Sequence, residues 1–311
     1  MLLISCYILC RFLHFTSLMS LAGAGIYTTL LAPERLRASL IQSLLPLIML
    51  TCWLTLVTAL LLLLLTCGLM GDGWADTLKG DIWLAVWQTR FGRVWQWQLI
   101  FATAGCLALA LRGQRRQKVL LLCALAQLGG MSFTGHALML DGWQGALQRI
   151  NQLVHLLAAT FWAGGLLPLV LLMRAARDIT LRDDAVRTMM RFSRYGHIAV
   201  GLVLISGMLN ALLLLGWPVA SFTLYSQLLA VKIVLVAIMI AMALFNRYWL
   251  VPGFQRGGER VRHKFITVSI VEIFLAAAVL LIVSGFATLE PGPADSRTGA
   301  IIDLSKMSHI V

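Results

Sequence analysis

Apolar residues run in long stretches along this chain, and each stretch ends at a short break rich in charge, glycine or proline. Eight stretches stand out, at roughly 3–32, 41–67, 92–112, 117–139, 150–175, 187–215, 224–250 and 265–288. The breaks between them read "LAPERLRAS", "GLMGDGWADTLKGD", "RGQRRQK", "LDGWQG", "RAARDITLRDDAVR", "GWPVAS" and "VPGFQRGGERVRHK". A helical apolar run of about 20 residues matches the hydrocarbon core of a bilayer. A membrane barrel would show shorter segments of strict alternation instead. Backbone in lipid must satisfy its own hydrogen bonds, and a helix does this within one segment. The pattern predicts an all-α fold: a polytopic transmembrane bundle of eight helices over residues 1–290, followed by a short tail at 291–311.

Composition agrees, and charge adds orientation. The 311 residues are 60% hydrophobic and 12% charged, too few polar groups to coat a soluble domain of this size. A net charge of +12 would suit a nucleic-acid partner if it formed one face. Here the Lys and Arg sit in short connections instead, mostly the first, third, fifth and seventh, around Arg35, Arg116, Arg187 and Arg260. Basic connections stay on the cytoplasmic side. Both termini are therefore expected outside, in the periplasm if the membrane is a Gram-negative inner membrane. The opening "MLLISCYILCRFLHF" has no basic leader region or small-residue cleavage site, and reads as a retained first helix.

Histidine placement brings in chemistry. His14, His136 and His155 all fall at one depth, in the outer half of spans one, four and five. Met139 shares a helical face with His136 at three residues' distance. Imidazole and thioether suit Cu(I), and imidazole also accepts Cu(II). The outer set His14, His136, His155 and Met139 is the candidate metal site. The plainer reading is that each histidine hydrogen-bonds a neighbouring helix, worth about 1 kcal/mol. Deeper in the membrane, His197, Asn246, Glu272 and Lys232 outline an inner relay for a cation or proton. There the plainer reading is a structural ion pair of Glu272 with Lys232 or Arg247. A second functional reading is a b-type haem electron carrier, with His136 and His155, or His14 and His155, as axial ligands.

Other signals exclude more than they assign. The six cysteines form no CxxC motif and mostly lie in apolar runs, where cysteine behaves as a small hydrophobe. No GxSxG, HExxH, P-loop or pump-ATPase aspartate motif is present, so an enzyme is not expected. The tryptophan-rich connection at 68–91 reads as an interfacial helix, or as a docking surface for a periplasmic partner. A faint echo links His14 and His155: Ala22-Gly23 and Ala163-Gly164 follow them at one offset. It suggests two four-helix halves, 1–139 and 150–288.

Several of these stretches together resemble one family. They are "RFLHFTSLM" (11–19), "GLMGDGWADT" (68–77), "GHALMLDG" (135–142), "NQLVHLLAATFWAGGLLPL" (151–169), "MRFSRYGHIAVGLVLISGMLNALL" (190–213), "LLAVKIVLVAIMIAMALFNRYWLVP" (228–252) and "ATLEP" (287–291). The chain resembles the CopD family of bacterial copper-resistance inner-membrane proteins, with its PcoD and YebZ branches. The resemblance implies eight spans, copper as the cargo, and inward movement across the inner membrane. It also implies a separate periplasmic copper-binding protein of the CopC type as partner.

Overall fold

The computed structural model describes residues 1–134, 142–175, 180–215, 223–286 and 288–289, without the side chains of 174–175, 214–215 and 253–259. Among them the fold is all-helical, with no strand. Nine α-helices follow in order: α1 Leu2–Ile26, α2 Glu34–Met70, α3 Gly80–Gln88, α4 Arg90–Ala108, α5 Gly113–Met131, α6 Gly142–Ala175, α7 Arg182–Leu215, α8 Leu224–Phe245 and α9 Val251–Phe286. Five-residue π turns extend α1 through Tyr27–Leu31 and join α8 to α9 through Asn246–Leu250.

Six helices are long and apolar enough to cross a membrane: α1, α2, α6, α7, α8 and α9. The expected third and fourth spans correspond to α4 and α5, of 19 residues each. Both reach about the thickness of the hydrocarbon core. Their ends are polar, with Arg90 and Arg93 on α4 and Arg115, Arg116 and Lys118 on α5, which lowers their apolar content. The extra helix α3 lies inside the tryptophan-rich connection and buries only Val86.

One expected break is absent. "VPGFQRGGERVRHK" was read as a loop, yet α9 begins at Val251 and continues through it. Pro252 is the second residue of α9, which follows directly on the π turn Asn246–Leu250. The longest helix, α2, has 37 residues and spans about 55 Å, more than a bilayer core requires.

Helix α1 is the central element. It packs against α2, α5, α6 and α9, and Leu18, Ala22, Ala24 and Tyr27 are fully enclosed. Its second half is a run of small residues, "LAGAG", and small residues let transmembrane helices approach closely. The closest approach is to α6, where a Cβ on Gly23 would fall on the Gly164 carbonyl and a Cβ on Gly164 on the Met19 carbonyl. Arg11–Met19 and Gln148–Ala163 lie on the N-terminal side of this crossing and line one cavity, so the two helices run parallel. In contrast, α7 and α8 leave large apolar side chains such as Ile205, Met208, Ile233 and Val234 uncovered. In a membrane that surface faces acyl chains, which are as apolar as the side chains themselves.

Candidate functional site

The crossing at Gly23 and Gly164 sets the height of two histidines. His14 and His155 each lie nine residues before the glycine of their own helix. Nine residues of helix rise about 14 Å. Parallel helices therefore place both imidazoles at matching height, on the N-terminal side of the crossing.

Each ring is held in the same way by the next helix in the chain. His14 Nδ1 lies 2.9 Å from Thr58 Oγ1 on α2. His155 Nδ1 lies 2.9 Å from Ser206 Oγ on α7. A hydroxyl has one hydrogen to give. Thr58 gives its hydrogen to the Leu54 carbonyl, and Ser206 to the Leu202 carbonyl. Both hydroxyls must then accept from the imidazole, so Nδ1 carries the proton in each neutral ring. Nε2 is left with a free lone pair, the form in which histidine binds a metal. The Nε2 of His14 is buried and has no hydrogen-bond partner.

Thr58 and Ser206 were not singled out from the sequence. Thr51, Thr55 and Thr58 line one face of α2, and Thr55 reaches Ser17 of α1 at 3.1 Å. A threonine stripe at helical spacing in a leucine-rich helix was the available signal. The second signal was a matched spacing: Asn151 and His155 are four apart, as are Ser206 and Asn210. Asn151 Nδ2 donates to Asn210 Oδ1 and to the Ser206 carbonyl, both at 2.9 Å, and Asn210 Nδ2 donates to Gln152 Oε1 at 2.9 Å.

His155 lines a cavity of about 320 Å³ bounded mainly by α1, α6, α7, α8 and α9, with Leu62 of α2, Trp95 of α4 and Met131 of α5 at its side. Lys232 lines it too, with Nζ 6.0 Å from the centre of the Phe286 ring. His14 does not reach this space. Its ring is tucked between α1, α2 and α4, 5.7 Å from the ring of Trp95, and it is Trp95 that faces the cavity. Thr134, the last described residue before 135–141, also lines the cavity. His136 and Met139 lie outside the described residues. Among those described, no three His, Cys, Asp or Glu side chains gather around one point.

The inner polar residues divide differently from the expectation. A second cavity of about 130 Å³ is lined by His197, Asn246, Arg247 and Glu272. Asn246 Nδ2 donates to Glu272 Oε2 at 2.9 Å, while Asn246 Oδ1 and Glu272 Oε1 are buried without partners. His197 is exposed and bonds the Ser193 carbonyl through Nδ1 at 2.7 Å. Lys232 is not part of this group, because α8 turns it into the outer cavity. Neither Lys232 nor Arg247 forms an ion pair with Glu272; Arg247 Nη1 lies instead 2.9 Å from Met190 Sδ.

The 68–91 connection is well ordered by its own side chains. Asp76 accepts the Asp72 N–H at 2.7 Å and pairs with Lys79. The Lys79 ammonium, with help from that N–H, holds the Asp76 carboxyl below its ordinary range. Gly73 takes a φ of +118°, a region that favours glycine. Trp83 Nε1 ties α3 back to the Thr77 carbonyl at 2.6 Å, and Trp74, Leu78 and Leu84 remain exposed.

Comparison with known proteins agrees with this arrangement along the chain. Residues 1–146 match the family model "Copper resistance protein D-like, N-terminal domain", and residues 186–286 match "Copper resistance protein D". The inner membrane protein YebZ of Escherichia coli K12 is 38% identical over 285 residues, covering 92% of this chain and 98% of that protein. Copper resistance protein D of Pseudomonas syringae pv. tomato is 27% identical over 299 residues, covering 90% and 95%. The copper transport protein CutJ of Bacillus subtilis 168 is 31% identical over 174 residues, 52% of this chain and 31% of its own length. No solved structure matches significantly. The chain belongs to the copper resistance protein D family.

Proposed function

We propose that the chain is an inner-membrane copper transporter of copper homeostasis and resistance, taking the ion from outside and moving it inward. Its proposed external ligands are His155 in the outer cavity, His14 in the α1–α2–α4 seam behind Trp95, and His136, with Met139 as a soft auxiliary. The observation that carries this reading is the pair of anchored imidazoles. Two rings on separate helices, at matching depth, each give Nδ1–H to a hydroxyl and keep Nε2 free. A buried Nε2 with no partner, as at His14, is the kind of vacancy that calls for a ligand. Imidazole and thioether bind soft copper well, and a few exchangeable ligands also release it.

The relatives' names supply support for the cargo: copper resistance in Pseudomonas syringae and copper transport in Bacillus subtilis. The name of the Escherichia coli relative supports the inner membrane. In this reading α4 and α5 also cross, giving eight spans with both termini outside. The role is carriage, not catalysis. A separate periplasmic copper-binding protein of the CopC type delivers the ion, docking on the exposed Trp74 and α3.

The test is the metal content and optical spectrum of purified protein, wild type beside a His14→Ala, His155→Ala double variant. Bound copper in a preparation without a Soret band, lost in the variant, is the expected result. A Soret band lost with the same histidines would replace copper by the haem reading. Equal copper in both proteins would remove the histidines from the site.

A further inference from the structure

Two cysteines meet where α2 packs against α4, beside Gly105. Cys52 of α2 and Cys106 of α4 bring their sulfurs to 3.7 Å, and both are free thiols. A Cβ placed on Gly105 would lie 3.5 Å from Cys52 Sγ and 3.9 Å from Cys123 Cβ of α5. Gly105 thus leaves room for about one methyl group beside the pair. Cys52 is 2% and Cys123 6% exposed, and Cys106 is half-buried. Among the described residues, the one other hydrogen-bond contact either sulfur of the pair makes is Cys106 Sγ to the Cys52 carbonyl at 3.7 Å. Thiols are weak donors, so nothing strong occupies them.

The pair also lies further along the same two helices that hold the His14 ring. Cys52 precedes Thr58 by six residues on α2, a rise of about 9 Å. On α4, Trp95 packs near His14, and Cys106 follows further along the same helix in the matching direction. The α2–α4 contact therefore runs from the ring whose Nε2 has no partner to two adjoining thiols on the side of α5.

We propose that Cys52 and Cys106 form a second, inner Cu(I) site that receives the ion from the His14 level. Two sulfur ligands suit Cu(I), which is soft and accepts low coordination; hard cations want oxygen, and structural zinc wants four ligands. Cu(I) displaces one thiol proton, giving copper bound by one thiolate and one thiol, with one proton released. The bound site is neutral, which suits an apolar interior. That the ion is copper rests on the function proposed above; that a soft ion binds here rests on the thiols.

The test is an anaerobic titration of purified full-length protein with Cu(I) against a chromophoric chelator. One Cu(I) equivalent is expected to persist in the His14→Ala, His155→Ala variant and to vanish in Cys52→Ser, Cys106→Ser. Cys67→Ser, a buried cysteine elsewhere, should keep it. Gly105→Val, which fills the space without removing sulfur, should lose the same equivalent while all six thiols still react after unfolding. Equal Cu(I) stoichiometry in wild type, the double cysteine variant and Gly105→Val overturns the proposal, as does a Cys52–Cys106 disulfide in protein isolated under nitrogen. Failure of the histidine reading looks different. The histidine variant would then bind as much as wild type, with the cysteine variant still one equivalent short.

Discussion

Gly23 and Gly164 meet backbone to backbone where α1 crosses α6, and each stands nine residues after the histidine of its own helix. That contact fixes the relative height of the two imidazoles, because nothing larger than hydrogen fits at either glycine. Gly164→Ala would drive a methyl into the Met19 carbonyl. Overpacking of this kind costs about 1–3 kcal/mol. Thermal unfolding in detergent should show a clear loss for Gly164→Ala. Gly129→Ala, with open space around it, should be neutral or slightly stabilising. Equal melting of both variants and wild type would mean that the crossing is not tight.

Ser206 should matter to copper through His155 alone. Without its hydroxyl, Nδ1–H of His155 loses its acceptor and the ring loses both its tautomer and its aim. Removing such an orienting partner typically lowers metal affinity about 10–100-fold. Ser206→Ala and Thr58→Ala should each weaken Cu(I) binding to this degree, with Thr58→Ser close to wild type. Chelator competition reads the change. Unaltered affinity in both alanine variants would detach the hydroxyls from the site.

Acid should loosen the external connection at one carboxyl. Asp76 is held below its ordinary range by Lys79 and by the Asp72 N–H, so the folded loop favours its ionised form. A lowered carboxyl contributes stability above its unfolded value, near pH 4, and loses it as pH falls through the folded value. Protection of the amides of residues 72–79, measured relative to their intrinsic exchange rates, should hold from neutral pH to about pH 5 and fall at lower pH. Asp76→Asn should exchange faster already at neutral pH. A loop indifferent to both acid and substitution would contradict this.

Orientation is open to a simple check. If the basic connections lie inside, the turn with Arg112, Arg115, Arg116 and Lys118 lies there too, and α4 and α5 must cross as a pair, with both termini outside. Alkaline phosphatase fused after the last residue should be active, and fused after Arg112 inactive. The opposite pattern would invert the bundle and place the histidines inside.

Much of the bundle was legible because apolar length is a strong signal: α1, α2 and α6 to α9 all coincide with expected spans. Pro252 misled, since a proline looks like a break, yet α9 runs on past it. The histidines stood out as rare polar groups in apolar runs. Their partners did not, because Thr58 and Ser206 look like any hydroxyl that bonds its own helix, and only the neighbouring helix makes them acceptors for imidazole. Lys232 joins the inner group in the sequence reading as a polar residue of the same span as Asn246, but it stands 14 residues before Asn246, about 21 Å along the helix, and so lines the outer cavity.

X-ray absorption at the copper edge, on Cu(I)-loaded protein carrying Cys52→Ser and Cys106→Ser, tests the external site most directly. Imidazole scattering that weakens by one ring in His155→Ala, and again when His14→Ala is added, is the predicted result. A copper shell without imidazole, or one unchanged by both substitutions, would contradict the account.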